Sequence, residues 1–595
     1  MSTVSTPAET KKRRARWIVV SAAIIILLLL AAATWVGIRA LSARDSLETA
    51  AETATTIPAL IRDQDSAGVA AAAESFAAAA KSASESTGDP VWRLAELIPW
   101  LGGNLTAVRE ISGIANDLGT EAVVPLAGIA GELDPSALGF ADGKFNIAPL
   151  VAAAPVLDRA NSAFQDAAGR ARDIARPSIP FVADAVERMR DATHSAAASI
   201  DALDRSAALL PTMLGNAEPR TYLLLMLNNA ELRTQGGIPG AVATVRAQDG
   251  HLSIGEQRAA SDIVVPKAPA IDLSTSTVAL FDDLPGRFMQ NTVSALDFSE
   301  AAAAAAALWD QTTGETVDGV IAIDTVSLAY LLAATGPIDA GPFRLSADNA
   351  VETLLSTAYR DIEDVGIRDE AFALVASSIF GTLTTGTADP VGVLTALDRA
   401  TREHRLHVWS AHPEEEAQLE GTSLETILLP DDAVSRRVGV FYNDVTSSKL
   451  DYYATPHVTA QETCGPDPRI RVTVDWSNTI PENPVAVLPR YVTGSGLTGT
   501  PVGDTLTRVT VLGPTGWLAS DYELDGQRSG VQAAQFDDRT AIQHEFVTTP
   551  GGSHRITVDF TPPSGGTEAN VPLEVVTTPT VQHTEPEIER KTCTP

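Results

Sequence analysis

The sequence predicts a multidomain chain built from a single transmembrane helix, an α-helical stalk bundle, an α/β domain and a C-terminal β-sandwich. Three observations predict it: an uncharged run of 22 residues near the N-terminus, an alanine-rich stretch with apolar residues at helical intervals, and a change after residue 214 to strands. Those strands first alternate with helices and then run alone, the pattern of a layered α/β domain followed by an all-β one. At 595 residues the chain has room for several cores, because single domains run about 100 to 200 residues.

Residues 1–16 form a short cytoplasmic tail holding Lys11, Lys12, Arg13, Arg14 and Arg16, and residues 17–38 carry no charge. A run of that length crosses the hydrocarbon of a bilayer as a helix. Trp17 and Trp35 stand near its two ends, where aromatic side chains favour the interface. The basic cluster keeps the N-terminus cytoplasmic, so the sequence reads as a single-pass cell-membrane protein with its bulk extracytoplasmic and the lipid bilayer as a partner. A cleaved signal peptide is the competing reading. Ala31, Ala32 and Ala33 imitate a cleavage site, although the apolar run exceeds a typical signal core. With 43 basic against 75 acidic residues the net charge is −32. Such a surface repels phosphate backbones, and nucleic acid is not expected as a partner.

Residues 39–214 read as the helical stalk. Val182, Ala185, Val186, Met189 and Ala192 recur at helical spacing, and Pro58, Pro90, Pro99, Pro125, Pro177 and Pro180 mark breaks or first turns. The α/β domain is expected over 215–430. It holds a strand at 221–227, a hairpin turning at Asp249-Gly250, a helix at 301–309, a strand at 317–323 and a helix at 326–335 stopped by Gly336-Pro337. The β-sandwich is expected over 431–564, and a Thr- and Pro-rich tail over 565–595. Cys464 and Cys593 are the two cysteines of the chain, and one bridge between them is the simplest reading, with unpaired thiols the alternative.

Two constellations are candidates for function. Asn228, Asn229, Glu231 and Arg233 end the first apolar strand of the α/β domain and precede Gly236-Gly237. Strand ends of this kind hold ligand sites, and a guanidinium grips an anion through two donors; the bland alternative is a polar turn closed by its own ion pair. The second runs through Tyr359, Arg360, Asp364 and Arg368 in a segment of alternating charge, which reads equally as a solvated helix face. Gly494, Gly496 and Gly499 have dinucleotide-loop spacing, but their surroundings are strands and turns, so they read as a loop.

The stretch Asn228-Asn229-Ala230-Glu231-Leu232-Arg233 with Gly236-Gly237 resembles a family of membrane-anchored envelope proteins of high-GC Gram-positive bacteria that carry a domain of unknown function. The resemblance covers roughly 220–383, and 442–453 is also similar. A more distant similarity is to the LytR-CpsA-Psr family, envelope enzymes that move polyprenyl-pyrophosphate-linked glycopolymers onto peptidoglycan. That resemblance implies arginines holding pyrophosphate and acidic residues holding magnesium. It maps the arginine role onto Arg233, Arg360 and Arg368, with Asn228, Asn229, Glu231, Arg258 and Tyr359 beside them, and the magnesium role onto Asp262 and Asp364. Asn228 and Asn229 stand where that family has an acidic residue, and Asp369-Glu370 replaces its arginine-glutamine pair. Two functional expectations follow. One is a protein that binds or handles a polyprenyl-linked or cell-wall glycopolymer, enzyme or binder left open. The other is a non-enzymatic scaffold that recruits other envelope proteins.

Overall fold

The computed structural model describes residues 7–63, 65–130, 139–141, 143–386, 388–431, 435–465, 467–563, 571–582 and 584–591. They fall into two compact units, one drawn from 1–138 and 147–210, the other from 139–146 and 211–595.

The first unit is helical: α1 (Pro7–Arg62), α2 (Ser66–Thr87), α3 (Pro90–Ala95), α4 (Gly102–Leu118), α5 (Val124–Ile129), α6 (Ala148–Asp173) and most of α7 (Pro180–Met213). From Arg16 onward α1 is long and apolar enough to cross a membrane, a property that a signal sequence shares. Pro90 and Pro180 occupy first turns, where a missing N–H costs nothing. Pro58 departs from expectation: it lies inside α1, which runs about one more turn to Arg62 instead of breaking there. Ile111, Ile114 and Leu118 of α4 pack with Ala160, Ala167 and Ala171 of α6 and Val182 and Val186 of α7. Alanines on the α6 face let neighbouring helices approach closely.

In the second unit, seven strands form one mixed sheet: β1 (Phe140–Ala141), β2 (Lys144–Phe145), β3 (Arg220–Asn228), β4 (Ile238–Gln248), β5 (His251–Ala259) and β6 (Gly319–Asp324), with β9 (Leu406–Ser410) after the small hairpin β7 (Ile338–Ala340) and β8 (Phe343–Leu345). Their order is β1-β2-β5-β4-β3-β6-β9. β3 and β6 are parallel, and the other pairs are antiparallel. Leu223, Leu225 and Leu227 point to one face and pack on Ala301, Ala302, Ala305, Leu308 and Trp309 of the helix Phe298–Thr313. Tyr222 and Leu224 point to the other face, against Phe380 of the helix Val365–Thr384. The strand reads as a continuous apolar run because both faces are covered. Asp249 and Gly250, at φ 50° and 81°, make the predicted hairpin turn. The hairpin β1–β2, from residues expected to belong to an all-helical stalk, belongs here. Phe145 N–H donates to the Gly250 carbonyl at 2.8 Å, and Lys144 pairs with Asp249 at 2.8 Å.

The remaining strands form two five-stranded sheets. One has the order β15 (Gln532–Phe536), β16 (Arg539–Thr548), β13 (Thr505–Leu512), β10 (Arg436–Asp444), β18 (Leu573–Thr577). The other has β14 (Leu518–Leu524), β17 (Ser553–Thr561), β12 (Arg469–Asn478), β11 (Ala454–Thr463), β19 (Glu587–Lys591). Val438, Val440, Val509 and Val511 of the first meet Val458, Val472, Val474 and Ile556 of the second in one core. The segment expected as a tail from 565 supplies the edge strands β18 and β19, each paired in parallel. Residues 494–499 fall in the loop before β13, as read from their surroundings. Cys464 follows β11, and β19 places Lys591 opposite Thr463. Cys593, its expected partner, lies outside the described residues.

Candidate functional site

β3 ends at Asn228, and the turn that follows does not open to solvent: every residue from 227 to 239 is buried. Leu232, 1% exposed, belongs to the core between the two five-stranded sheets. Its N–H donates to Asp451 at 2.8 Å, and Asp444 N–H donates to its carbonyl at 2.9 Å. Thr234 N–H donates to the Asn443 side chain at 3.3 Å, and Thr578 Oγ donates to the Thr234 carbonyl at 3.0 Å. The motif is a buried latch that joins the α/β layer to the β-rich region. The paired glycines serve this latch. Gly236 sits at φ 119°, and a Cβ on Gly237 would strike the Asn228 carbonyl. Gly237→Ala is therefore expected to cost about 1–3 kcal/mol of stability through overpacking, measured as a lower urea midpoint.

Arg233 does not reach outward as a free fork. Its Nη1 donates to the carbonyls of Leu232 at 2.8 Å and Asp444 at 3.0 Å, and Nε and Nη2 both reach Asn291 at 3.3 Å. Glu231 lies 3.6 Å from Arg233 and receives the Lys449 ammonium at 2.9 Å. Asn229 donates to Asp324 at 2.9 Å, and Asp324 also takes Arg405 at 2.6 Å, so a second buried ion pair adjoins the motif. Burial pushes Asp444 up to about 6, with the charge of Glu231 adding and Arg233 opposing. Asp451 is raised well above the carboxylate range, by burial first and then by Asp444. Burial pulls the Lys449 ammonium down, but Glu231, Tyr359 and Tyr491 outweigh it and the net direction is up.

Lys449 connects the latch to a second group. Asn228 donates to the Tyr359 hydroxyl at 2.5 Å, and Tyr359 stacks on Tyr491 with centroids 5.7 Å apart. Lys449 Nζ lies 5.3 Å and 5.4 Å from these two rings, and the Arg368 guanidinium lies 4.9 Å and 4.2 Å from them. Arg368 is 1% exposed. Its Nη1 donates to the Ile362 carbonyl at 3.2 Å, while Nε and Nη2 are buried with no partner among the described residues. A buried guanidinium with two idle donors carries a desolvation cost that an anion relieves. Tyr491 is half-exposed, and Val365, Ile367, Val485 and Val487, near Arg368 and Tyr491 in sequence, are exposed.

The other sequence candidates have local partners or lie in exposed turns. Arg360 is exposed and donates to Thr357 at 3.0 Å, and Arg258 pairs with Glu256 at 2.5 Å. Asp364 caps the helix Val365–Thr384 by accepting from Ile367 N–H at 3.0 Å. Asp262 is exposed in the turn Ala260–Asp262, and its field raises Asp369, whose shift comes first from burial and is opposed by Arg368. Among the described residues no three of His, Cys, Asp or Glu gather to hold a metal ion. Sequence reasoning missed Lys449, Asp451 and Tyr491 as members of the site; the first two stand in the 442–453 stretch singled out by resemblance, and Tyr491 carries no local signal.

No curated protein and no solved structure matches the chain. Residues 217–359, from the approach to β3 through Tyr359, match the model of a family described as protein of unknown function (DUF4012).

Proposed function

We propose that this chain is a membrane-anchored protein of the extracytoplasmic cell envelope that binds or handles an anionic amphiphile, a polyprenyl-linked or cell-wall glycopolymer, through Arg368 and its two tyrosines. One observation carries the reading: Arg368 is buried with Nε and Nη2 unpaired, beside a second cation, Lys449. Two cations sharing one aromatic pair favour an anion, and the exposed Val365, Ile367, Val485 and Val487 favour an apolar chain next to it. The arrangement of β3 and the helices on its faces supports a LytR-CpsA-Psr-like architecture, and the uncharged span 17–38 with its basic N-terminal flank supports the anchor and its orientation. A second reading, a scaffold that recruits envelope proteins, draws on the latch: Asn229, Glu231 and Arg233 are spent on protein contacts.

The test is thermal unfolding of the full-length protein in detergent with undecaprenyl pyrophosphate, inorganic pyrophosphate or uncharged polyprenol. The lipid pyrophosphate is expected to raise Tm, by the equivalent of about 2.7 kcal/mol at roughly a hundredfold excess over Kd. Arg368→Met abolishes that rise while leaving the unliganded Tm unchanged or higher, because it removes a buried charge with two unpaired nitrogens. No rise in the parent protein would sink the ligand reading and leave the scaffold.

A further inference from the structure

Within the first unit, α2 descends antiparallel beside α1. Ser46 meets Ser82 at 3.1 Å, Ser42 meets Ser86 at 3.3 Å, and Arg39 meets Asp89 at 3.4 Å. Trp35 Nε1 also donates to Asp89 at 3.1 Å. The chain has therefore returned to the last turn of the uncharged run 17–38, and there it reverses again. Asp89 caps α3 by accepting from the N–H groups of Val91 and Trp92 at 2.8 and 3.0 Å.

The reversal exposes apolar side chains. Leu94 is 67%, Leu97 78%, Ile98 43% and Trp100 81% exposed, with Arg93 exposed among them. This is not a loose end. Trp92 is fully buried and donates to the Leu105 carbonyl at 3.2 Å, Gly102 N–H donates to the Ile98 carbonyl at 2.8 Å, and the Asn104 side chain donates to the Trp100 carbonyl at 3.1 Å. Trp100 is held at φ 65°, a backbone region that bulky residues seldom adopt. A Cβ on Gly102 would strike the Glu96 carbonyl, so the tight turn requires glycine there. A built turn that spends backbone strain to present leucine, isoleucine and tryptophan outward, with a cation beside them, has the composition of a membrane-interface element.

We propose that the 94–100 turn is a second membrane attachment point, inserting Leu94, Leu97, Ile98 and Trp100 into the headgroup and acyl boundary of the leaflet at the C-terminal end of the α1 span. The occupant is lipid because the turn begins at Trp35 and Arg39, where the hydrocarbon-length run ends. The inference rests on reading α1 as a membrane span.

The test uses full-length protein in phosphatidylcholine–phosphatidylglycerol vesicles containing lipids brominated near the headgroup. Difference emission between the parent and Trp100→Phe isolates Trp100, and Trp17→Phe and Trp35→Phe isolate the two ends of the span. Trp100 is expected to be quenched by the brominated lipid as strongly as Trp35 and to be shielded from aqueous acrylamide. Leu97→Glu, at a site without packing to lose, is expected to shift Trp100 emission to the red and reduce its lipid quenching roughly twofold or more. Lipid quenching of Trp35 with acrylamide quenching of Trp100 would overturn the attachment and keep the span. Absence of lipid quenching at both Trp17 and Trp35 would overturn the span and the attachment together.

Discussion

Replacing Lys449 by methionine lowers the unfolding free energy of the second unit by about 3–5 kcal/mol, read as a fall in the urea midpoint of the full-length protein. The size follows from what remains. Glu231 is buried, and its nearer partner is the Lys449 ammonium at 2.9 Å, with Arg233 at 3.6 Å already serving two carbonyls and Asn291. Deleting the ammonium leaves a carboxylate without water and with a half-committed counter-ion. The substitution also removes a cation from Tyr359 and Tyr491. Combining it with Glu231→Gln recovers much of the loss, since a neutral amide tolerates the site better than an unpaired charge. Equal loss in the single and double variants would refute the pair as the source of the effect.

Asp451→Asn moves stability in the opposite direction. The Asp451 carboxyl is raised by burial and by Asp444, so the folded chain keeps this proton to a higher pH than the unfolded chain does. Asp444, raised from 3.8 to about 6, behaves in the same sense. Where the folded state binds more protons, stability falls as pH rises. The fall begins near the unfolded value and, for Asp444 alone, ends near pH 6 after a loss on the order of 3 kcal/mol. An asparagine at 451 keeps an oxygen for the Leu232 N–H and carries no titrating proton. The variant is expected to be more stable than the parent at pH 7.5, with a flatter stability profile between about pH 4 and 7. A variant less stable than the parent at pH 7.5 would show that residue 451 is ionised in the fold.

The parts of this architecture legible in the sequence are those whose signals are local. β3 announces itself by an unbroken apolar run, the β4–β5 turn by Asp249-Gly250, and the helix Phe298–Thr313 by its alanines. β18 and β19 find partners more than 120 positions away, so no local pattern marks them. The site divides in the same way. Asn228, Asn229, Glu231 and Arg233 stand out as a polar cluster after an apolar strand, but a ligand site and a buried latch demand the same side chains, because both need donors and acceptors satisfied. What decides between them is Lys449 and Asp451, about 220 residues away. For Arg368 the sequence shows charge alternation, whereas burial comes from Tyr359 and a tyrosine at 491.

The parallel seating of β18 sets an order of events for a chain made from its N-terminus. Helices α1 to α7 find their partners among neighbours and can close early. The 228–237 turn cannot: Thr578 reaches Thr234 across 344 positions, and the Pro579 carbonyl reaches Asn229 across 350. Contacts of such span are slow to form because a long loop must close before any of them rewards it. Until the last strands arrive, Leu232 has no finished core to enter and two sheets keep open, pairable edges. The second unit therefore completes only once β18 and β19 have been made and have found β10 and β11.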